Sequence, residues 1–148
     1  MQAGQLINEV KVTRVKNAVT AGTTDVTCTT LDMAGWDGVL FLALLGDVTA
    51  TSVLQFKIYT GSDSGGSGAA LPTGGTATTA FTAGASDADN LILLGDAFRP
   101  QARYVTGVLL RGTANAVVDG IVAIQYRGRT EVVTQSSSVL AQALSCGK

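Results

Sequence analysis

The 148-residue sequence predicts an all-β fold, a β-sandwich of about seven to eight strands for which a jelly roll is one fitting topology. Short stretches rich in β-branched residues alternate between apolar and polar positions with a period of two. Gly, Asp and Asn interrupt these stretches at intervals typical of turns. The length matches one domain, so we expect a sandwich over residues 1–129 and a C-terminal arm or tail over residues 130–148.

The N-terminal part predicts two strands. Residues 6–16 form the first, and its inward and outward positions change phase between Val12 and Val15, which indicates a bulge. A turn at residues 21–22 then leads into the second strand, over residues 25–31.

The middle of the chain predicts a buried strand followed by an alternating one. After a corner at residues 33–38, residues 39–45 (VLFLALL) are apolar at every position, which favours a central strand covered on both faces. In residues 53–60 the alternation is regular. The side chains expected to share one face of this second strand are Leu54, Phe56 and Ile58.

The next segment is poor in bulky apolar residues. Residues 61–79 are rich in Gly, Ala and Thr and predict a long exposed loop or extended ribbon. Short strands over residues 81–82 and 91–94 then bracket a turn at residues 84–90.

Two long strands follow, over residues 103–110 and 118–126, and residues 112–116 predict a hairpin between them. After residue 129 the alternation stops. The apolar residues of the tail fit one short amphipathic helix or an added strand, so the tail is a candidate arm for docking on a neighbour. The alternative is that the tail folds back on its own domain.

Charged residues make up 14% of the chain, about half the usual share, which suits a surface in contact with other proteins. Residues 17–97 contain eight aspartates against Lys57, whereas both ends are basic. One interpretation is that these charges only solubilise strands and loops. The other is that the basic ends meet the acidic middle of a neighbouring subunit. This second interpretation gives the basic candidate interface residues, and the tail gives the apolar ones. Together they are Arg14, Arg99, Arg127, Arg129, Val139, Leu140 and Leu144.

Residues suited to catalysis are scarce. The chain contains no His, which excludes Ser-His-Asp and Cys-His arrangements and His-containing metal sites. Asp87 and Asp89 are close in sequence, but grouped loop aspartates usually cap turns rather than bind calcium. Trp36, in a corner between strands, is expected to plug the core rather than form a ligand platform. We therefore expect no enzyme activity, no metal and no cofactor.

Several partner and location classes are also disfavoured. A net charge of −1 without Lys/Arg runs argues against direct binding of nucleic acid. The longest apolar run is too short for a membrane-spanning helix, and the first residues lack a signal-peptide pattern, so we expect synthesis in a cytoplasm. Cys28 and Cys146 are too few for a disulfide framework; Cys28 is expected in the core, on the same face as Val26, and Cys146 exposed.

In the order and residue types of several segments, the sequence resembles the decoration, or cement, proteins of tailed-bacteriophage capsids. The resemblance covers about residues 33–129, and none of its motifs is catalytic. It rests on residues 35–41 (GWDGVLF), 46–49 (GDVT), 54–59 (LQFKIY), 61–63 (GSD), 103–105 (RYV), 112–114 (GTA) and 120–123 (GIVA).

The resemblance implies a β-sandwich subunit on the outside of an icosahedral capsid, in the virion, after synthesis in the bacterial host. Its implied partners are the phage major capsid protein and further copies of itself, as a dimer or trimer. It would bridge adjacent capsomers and stabilise the mature head. The alternatives are a head-tail connector, tail-tube or fibre-base component, and a carbohydrate-binding or adhesin module.

Overall fold

A computed structural model describes residues 6–66, 69–70, 80–129 and 133–143 and shows an all-β sandwich of two antiparallel sheets. The fold class predicted from the alternating pattern is therefore confirmed. The elements are α1 (Leu6–Glu9), β1 (Lys11–Lys16), β2 (Val19–Gly22), β3 (Val26–Thr27), β4 (Leu31–Asp32), β5 (Trp36–Val48), β6 (Val53–Gly61), β7 (Phe81–Thr82), β8 (Ile92–Phe98), β9 (Tyr104–Gly112) and β10 (Ala116–Gly128).

The two sheets are built from strands distant in sequence. The first sheet has the order β1-β10-β5-β8, with β2 also paired to β10. The second has the order β3-β9-β6-β7, with β4 also paired to β9. Strands β5 and β10 are the longest, and their register runs from Trp36 opposite Gly128 to Val48 opposite Ala116.

The structure describes ten strands, against the seven or eight expected, because two strands are broken. Strands β1 and β2 both pair with β10, and β3 and β4 both pair with β9. When each broken pair is counted once, eight strands remain. Their order in the two sheets is that of a jelly roll.

The core lies between the sheets and follows the period-two pattern. On β6, Leu54, Phe56 and Ile58 are almost fully buried, as predicted. Phe56 meets Phe41 of β5 across the sandwich, with ring centroids 5.5 Å apart. Cys28 is buried in the same core, as is Val26.

The N-terminal prediction is partly wrong. Residues 6–9 form a helical turn, in which Val10 N–H donates to Leu6 O at 3.1 Å, and the strand begins only at Lys11. The bulge is confirmed, because the register of β1 on β10 shifts between Arg14 and Lys16. The turn predicted at residues 21–22 lies instead within β2.

The hairpin predicted at residues 112–116 is wrong. A short connection is present, but β9 belongs to the second sheet and β10 to the first, so the two strands do not pair. The turn carries the chain across the sandwich. Residues 81–82 and 92–98 do form strands around a turn, although β8 is longer than predicted.

The expectation for residues 39–45 is also partly wrong. Strand β5 is central in its sheet, between β10 and β8, and Val39, Phe41 and Ala43 are fully buried. The alternate residues Leu40 and Leu42 are only half-buried, because they point away from the core. In the described part of the chain no second layer covers this side, so the run is apolar because its outer face is apolar too.

The described part of the tail, residues 133–143, forms neither a helix nor a strand and lies along β1. Gln135 Oε1 accepts the Val12 N–H at 2.8 Å, and Ser138 Oγ accepts the Arg14 N–H at 2.9 Å. These residues therefore fold back on their own domain. Most of the predicted loop, residues 67–68 and 71–79, lies outside the described residues; within its described part, Ala70 bridges to Thr60.

Candidate functional site

The outward side of the first sheet is apolar across three strands. Leu42 lies between Val122 of β10 and Leu94 of β8, and directly opposed residues share a face. The same holds for the neighbouring rows. We call this surface the outer face; its apolar residues on β5, β10 and β8 are Leu40, Leu42, Leu44, Val122, Ile124, Ile92 and Leu94.

Exposure increases across the outer face towards its edge. The residues on β5 and β10 are half-buried by their neighbours, whereas Ile92 and Leu94 on β8 are 52% and 55% exposed. The second sheet is more mixed, because its outward positions are Gln55, Lys57 and Tyr59 on β6 but Val108 and Leu110 on β9. Because the two outer surfaces differ in polarity, the outer face of the first sheet is the better candidate for binding a protein.

One end of the outer face carries an exposed aromatic ring between two arginines. The guanidinium carbons of Arg99 and Arg127 lie 5.2 and 5.3 Å from the centroid of the Phe98 ring. Phe98 also stacks on Tyr126, with centroids 6.5 Å apart and planes 3° from parallel. This group, which we call the arginine–aromatic cluster, combines apolar surface with two cations.

Tyr126 reaches across the sheet to complete the cluster. Its hydroxyl donates to Asp96 Oδ1 at 2.7 Å, and its ring lies over Gly38, where a Cβ would overlap it. Burial, with a further contribution from Asp96, raises the pKa of Tyr126 to about 12, so it remains a hydrogen-bond donor at neutral pH. Gly38 thus leaves the room that the aromatic stack needs.

Both arginines of the cluster have strained backbones. Their φ angles are 50° for Arg99 and 52° for Arg127, in the left-handed region that L-residues with a long side chain rarely adopt. Such a conformation costs roughly 1–3 kcal/mol and persists where surrounding structure enforces it. The Arg99 N–H donates to Asp37 O at 2.7 Å, which fixes this turn. Three other non-glycine residues of the described chain share this region in turns elsewhere, so the strain by itself does not mark a binding site.

A cleft of about 730 Å³ opens beside the cluster, at the same end of the sandwich. Arg99, Arg103 and Arg129 line it together with Trp36. Arg103 forms a two-bond ion pair with Asp32, at 2.7 and 2.8 Å, and this hydrogen bonding lowers the pKa of Asp32 to about 2. Asp37 also lines the cleft, so the positive charge available to an acidic group comes from Arg99 and Arg129.

The structure brings together three of the predicted interface residues. Arg99, Arg127 and Arg129 lie at the end of the sandwich where β5 begins and β10 ends. Arg14 lies apart, on β1, where it donates to Asp119 O at 3.4 Å.

The predicted tail residues lie nearer to Arg14. Ser138, which accepts the Arg14 N–H, precedes Val139, which is half-buried, and Leu140, which is fully exposed. Leu144 and Cys146 lie outside the described residues. Docking of the basic ends on an acidic neighbour stays a prediction.

Sequence reasoning missed Phe98, Leu94, Ile92 and Tyr126 as surface residues with a role. A signal for them was present. Residues 39–45 are apolar at both parities, so an apolar outer surface on this strand could have been read from that run.

The other residues singled out from the sequence pack in or against the core or cap turns. Trp36 is half-buried, packs against the core and covers Gly128, while also lining the cleft. Burial raises the pKa of the Cys28 thiol to about 12, so it is a weak nucleophile at neutral pH. Asp87 and Asp89 accept backbone N–H groups of Gly84 and Val48, as turn-capping aspartates do. Among the described residues, no group of three acidic or Cys side chains could hold a metal ion.

No family model matches the sequence, and no curated protein is similar to it. In the part of the chain that the structure describes, no helix has the length and apolar character needed to cross a membrane.

Proposed function

We propose that this chain is a structural virion protein that binds the outside of an icosahedral phage capsid and cements adjacent capsomers of the major capsid protein. The observation that carries the adhesive role is the apolar outer face, with its exposed Phe98 between Arg99 and Arg127. The capsid as partner comes from the sequence resemblance alone. The role requires no catalytic residue.

The outer face supports adhesion through burial of apolar area. Each Å² of apolar surface removed from water contributes roughly 25 cal/mol, and Ile92, Leu94 and Phe98 are each about half exposed. Arginines at the end of the face add charge complementarity to an acidic partner, which fixes orientation. Arg and aromatic residues are also the types enriched at protein interfaces.

The proposed mechanism is mass action. A subunit that binds only the assembled lattice stabilises that lattice over dissociated or burst states. Repeated contacts on one lattice raise the effective concentration, so modest affinity at each contact is sufficient.

The test measures binding of the purified protein to empty capsids by co-sedimentation and records the melting temperature of the capsids. We expect binding and an increased melting temperature. Phe98→Ala should weaken binding about tenfold or more, as truncation of an aromatic hot-spot residue does. Tyr59→Ala, on the outward side of the second sheet, is the matched aromatic control and should bind normally.

Two outcomes would contradict the proposal. One is failure to bind either expanded or unexpanded capsids. The other is a copy number of about a dozen per virion instead of hundreds, which would favour the connector alternative. Equal binding by the Phe98→Ala variant would remove the outer face from the proposal.

A further inference from the structure

The two edge strands of the first sheet differ in the hydrogen bonding of their outward backbone groups. At the β1 edge, the outward N–H groups of Val12 and Arg14 are bonded by Gln135 and Ser138 of the tail. At the other edge, β5 is the only strand that pairs with β8 among the described residues. Within that part of the chain, the tail blocks one edge of the sheet and the other edge has no partner strand.

The outward groups of β8 can be identified from its hydrogen bonds. Leu45 N–H donates to Leu91 O, and Arg99 N–H donates to Asp37 O. The backbone N–H and C=O groups of the odd-numbered residues of β8 therefore point toward β5. The even-numbered residues Ile92, Leu94, Asp96 and Phe98 consequently direct their N–H and C=O groups away from the sheet. Among the described residues, none forms a backbone hydrogen bond with this side of β8.

Strand β8 also lacks the devices that protect an edge. It contains no Pro or Lys, and its register on β5 has no bulge. Its one charge, Asp96, is turned across the outer face to Tyr126. An exposed, regular and apolar edge strand is a template for another strand.

Exposed apolar side chains are concentrated on the same side of the molecule. Strand β8 packs over β6, so β7 and β8 end their sheets on one side. Five of the seven large apolar side chains that are exposed in the described part belong to residues 81–98, so this side is the most apolar. They are Phe81, Leu91, Ile92, Leu94 and Phe98.

We propose that β8 pairs antiparallel with β8 of a second copy of this chain, which makes a two-fold dimer with one continuous sheet. A register centred on Gly95 places Ile92 opposite Phe98 and Leu94 opposite Asp96 of the other copy, and it pairs all seven residues of the strand. A register centred on Asp96 would set two carboxylates opposite each other, which is destabilising.

The second copy is favoured over another protein because the edge is complementary to itself. Two-fold pairing uses the same surface on both subunits and closes after two. It also joins the two outer faces into one wider apolar surface. The inference does not depend on the capsid proposal, since the dimer would form without a capsid.

The test uses opposite charges at one exposed position of the full chain. Leu94→Lys would place a Lys opposite each Asp96 and keep the dimer, whereas Leu94→Asp would place two carboxylates opposite each other. We expect sedimentation equilibrium to show a wild-type dimer and a dissociation constant at least about tenfold higher for Leu94→Asp than for Leu94→Lys. Leu6→Asp, an exposed apolar residue before β1, should leave the dimer unchanged.

Circular dichroism shows whether each variant is folded, so a folding defect is separated from a loss of pairing. A wild-type monomer at every soluble concentration, a trimer, or equal dissociation constants for the two Leu94 variants would overturn the proposal. Capsid binding is measured separately, so failure of the dimer and failure of the proposed function are distinguishable.

Discussion

Arg111 places a guanidinium inside the sandwich. It is 5% exposed, lies opposite Leu54 on the inward side of β9, and burial lowers its pKa. It donates to the carbonyl oxygens of Thr24 and Thr20 at 2.7 and 2.8 Å, and to that of Ala116. One side chain thus ties the connection around β2 to the start of β10.

We expect Arg111→Met to lower the free energy of unfolding by about 3 kcal/mol, because it leaves three backbone acceptors without their donor. Chemical denaturation measures this. Arg103→Met is the control: its ion pair with Asp32 is exposed and screened by solvent, so its loss should leave the free energy of unfolding nearly unchanged. Equal losses in the two variants would contradict the assigned role.

At the residue scale, alternation predicted the buried side chains of β6 well, because each contacts the core by strand geometry alone. Arg111 belongs to the basic C-terminal part of the sequence, for which solubilising the surface and docking on a neighbour were the two interpretations, although it has the parity of Val105 and Leu109. Its charge concealed its inward position. Its partners are backbone carbonyl oxygens, which every residue has, so no sequence pattern identifies them. The strained Arg99 and Arg127 were likewise invisible, since neither is a residue type that marks a left-handed turn.

At the scale of the element, the tail acts as a cover for β1. Gln135 uses both ends of its amide: Oε1 accepts from Val12, and Nε2 donates to Ile7 O at 2.9 Å and Val10 O at 2.6 Å. It joins the end of α1 to the start of β1. The tail is therefore part of the sheet edge.

We expect Gln135→Ala to lower the free energy of unfolding by about 1–2 kcal/mol and to speed amide exchange at Val12, because that N–H loses its acceptor. Hydrogen exchange read residue by residue measures this. Ser137→Ala, an exposed neighbour in the same tail, should change neither quantity. Unchanged exchange at Val12 in the Gln135→Ala variant would show that the tail does not protect this edge.

The existence of the long strands could be predicted, but their partners could not. A connection as short as residues 113–115 fits both a hairpin and a crossing between sheets, and both strands alternate in either case. The decision depends on β6 and β5, which are far away in sequence and pair with β9 and β10. The tail was left open between two roles for the same reason.

At the scale of the whole molecule, two glycines allow the sheets to approach. A Cβ on Gly107 would lie 2.6 Å from Phe56 Cζ and 3.3 Å from Phe41 Cδ1, and one on Gly95 would lie 2.7 Å from Phe56 Cδ1. Phe41 and Phe56 come from opposite sheets. The spacing of the sandwich is therefore set by the absence of side chains at these positions.

We expect Gly107→Ala to lower the free energy of unfolding by about 2 kcal/mol, because the added methyl group overpacks the aromatic pair between the sheets. Thermal and chemical unfolding measure this. Gly112→Ala, at the end of the same strand, meets nothing within 4 Å and should be nearly neutral. A neutral Gly107→Ala variant would mean that the sheets can separate without cost.

The candidate site was partly predictable at this scale. The sequence predicted Arg99, Arg127 and Arg129 as interface residues. The fold gathers them at one end of the sandwich, because they lie at or next to strand ends on that side. The apolar outer face was not predicted. The run at residues 39–45 was taken to need two covering layers, whereas one layer and a half-exposed outer surface account for it.

The pairing of β1 with β10 has a consequence for synthesis. Lys11–Lys16 leaves the ribosome well before its partners, residues 121–125. The first sheet therefore cannot close until residue 125 has emerged, and until then the nascent chain carries β1 without its partner strand. We expect closure of this sheet to be a late step of folding, because it joins segments that are far apart in the chain.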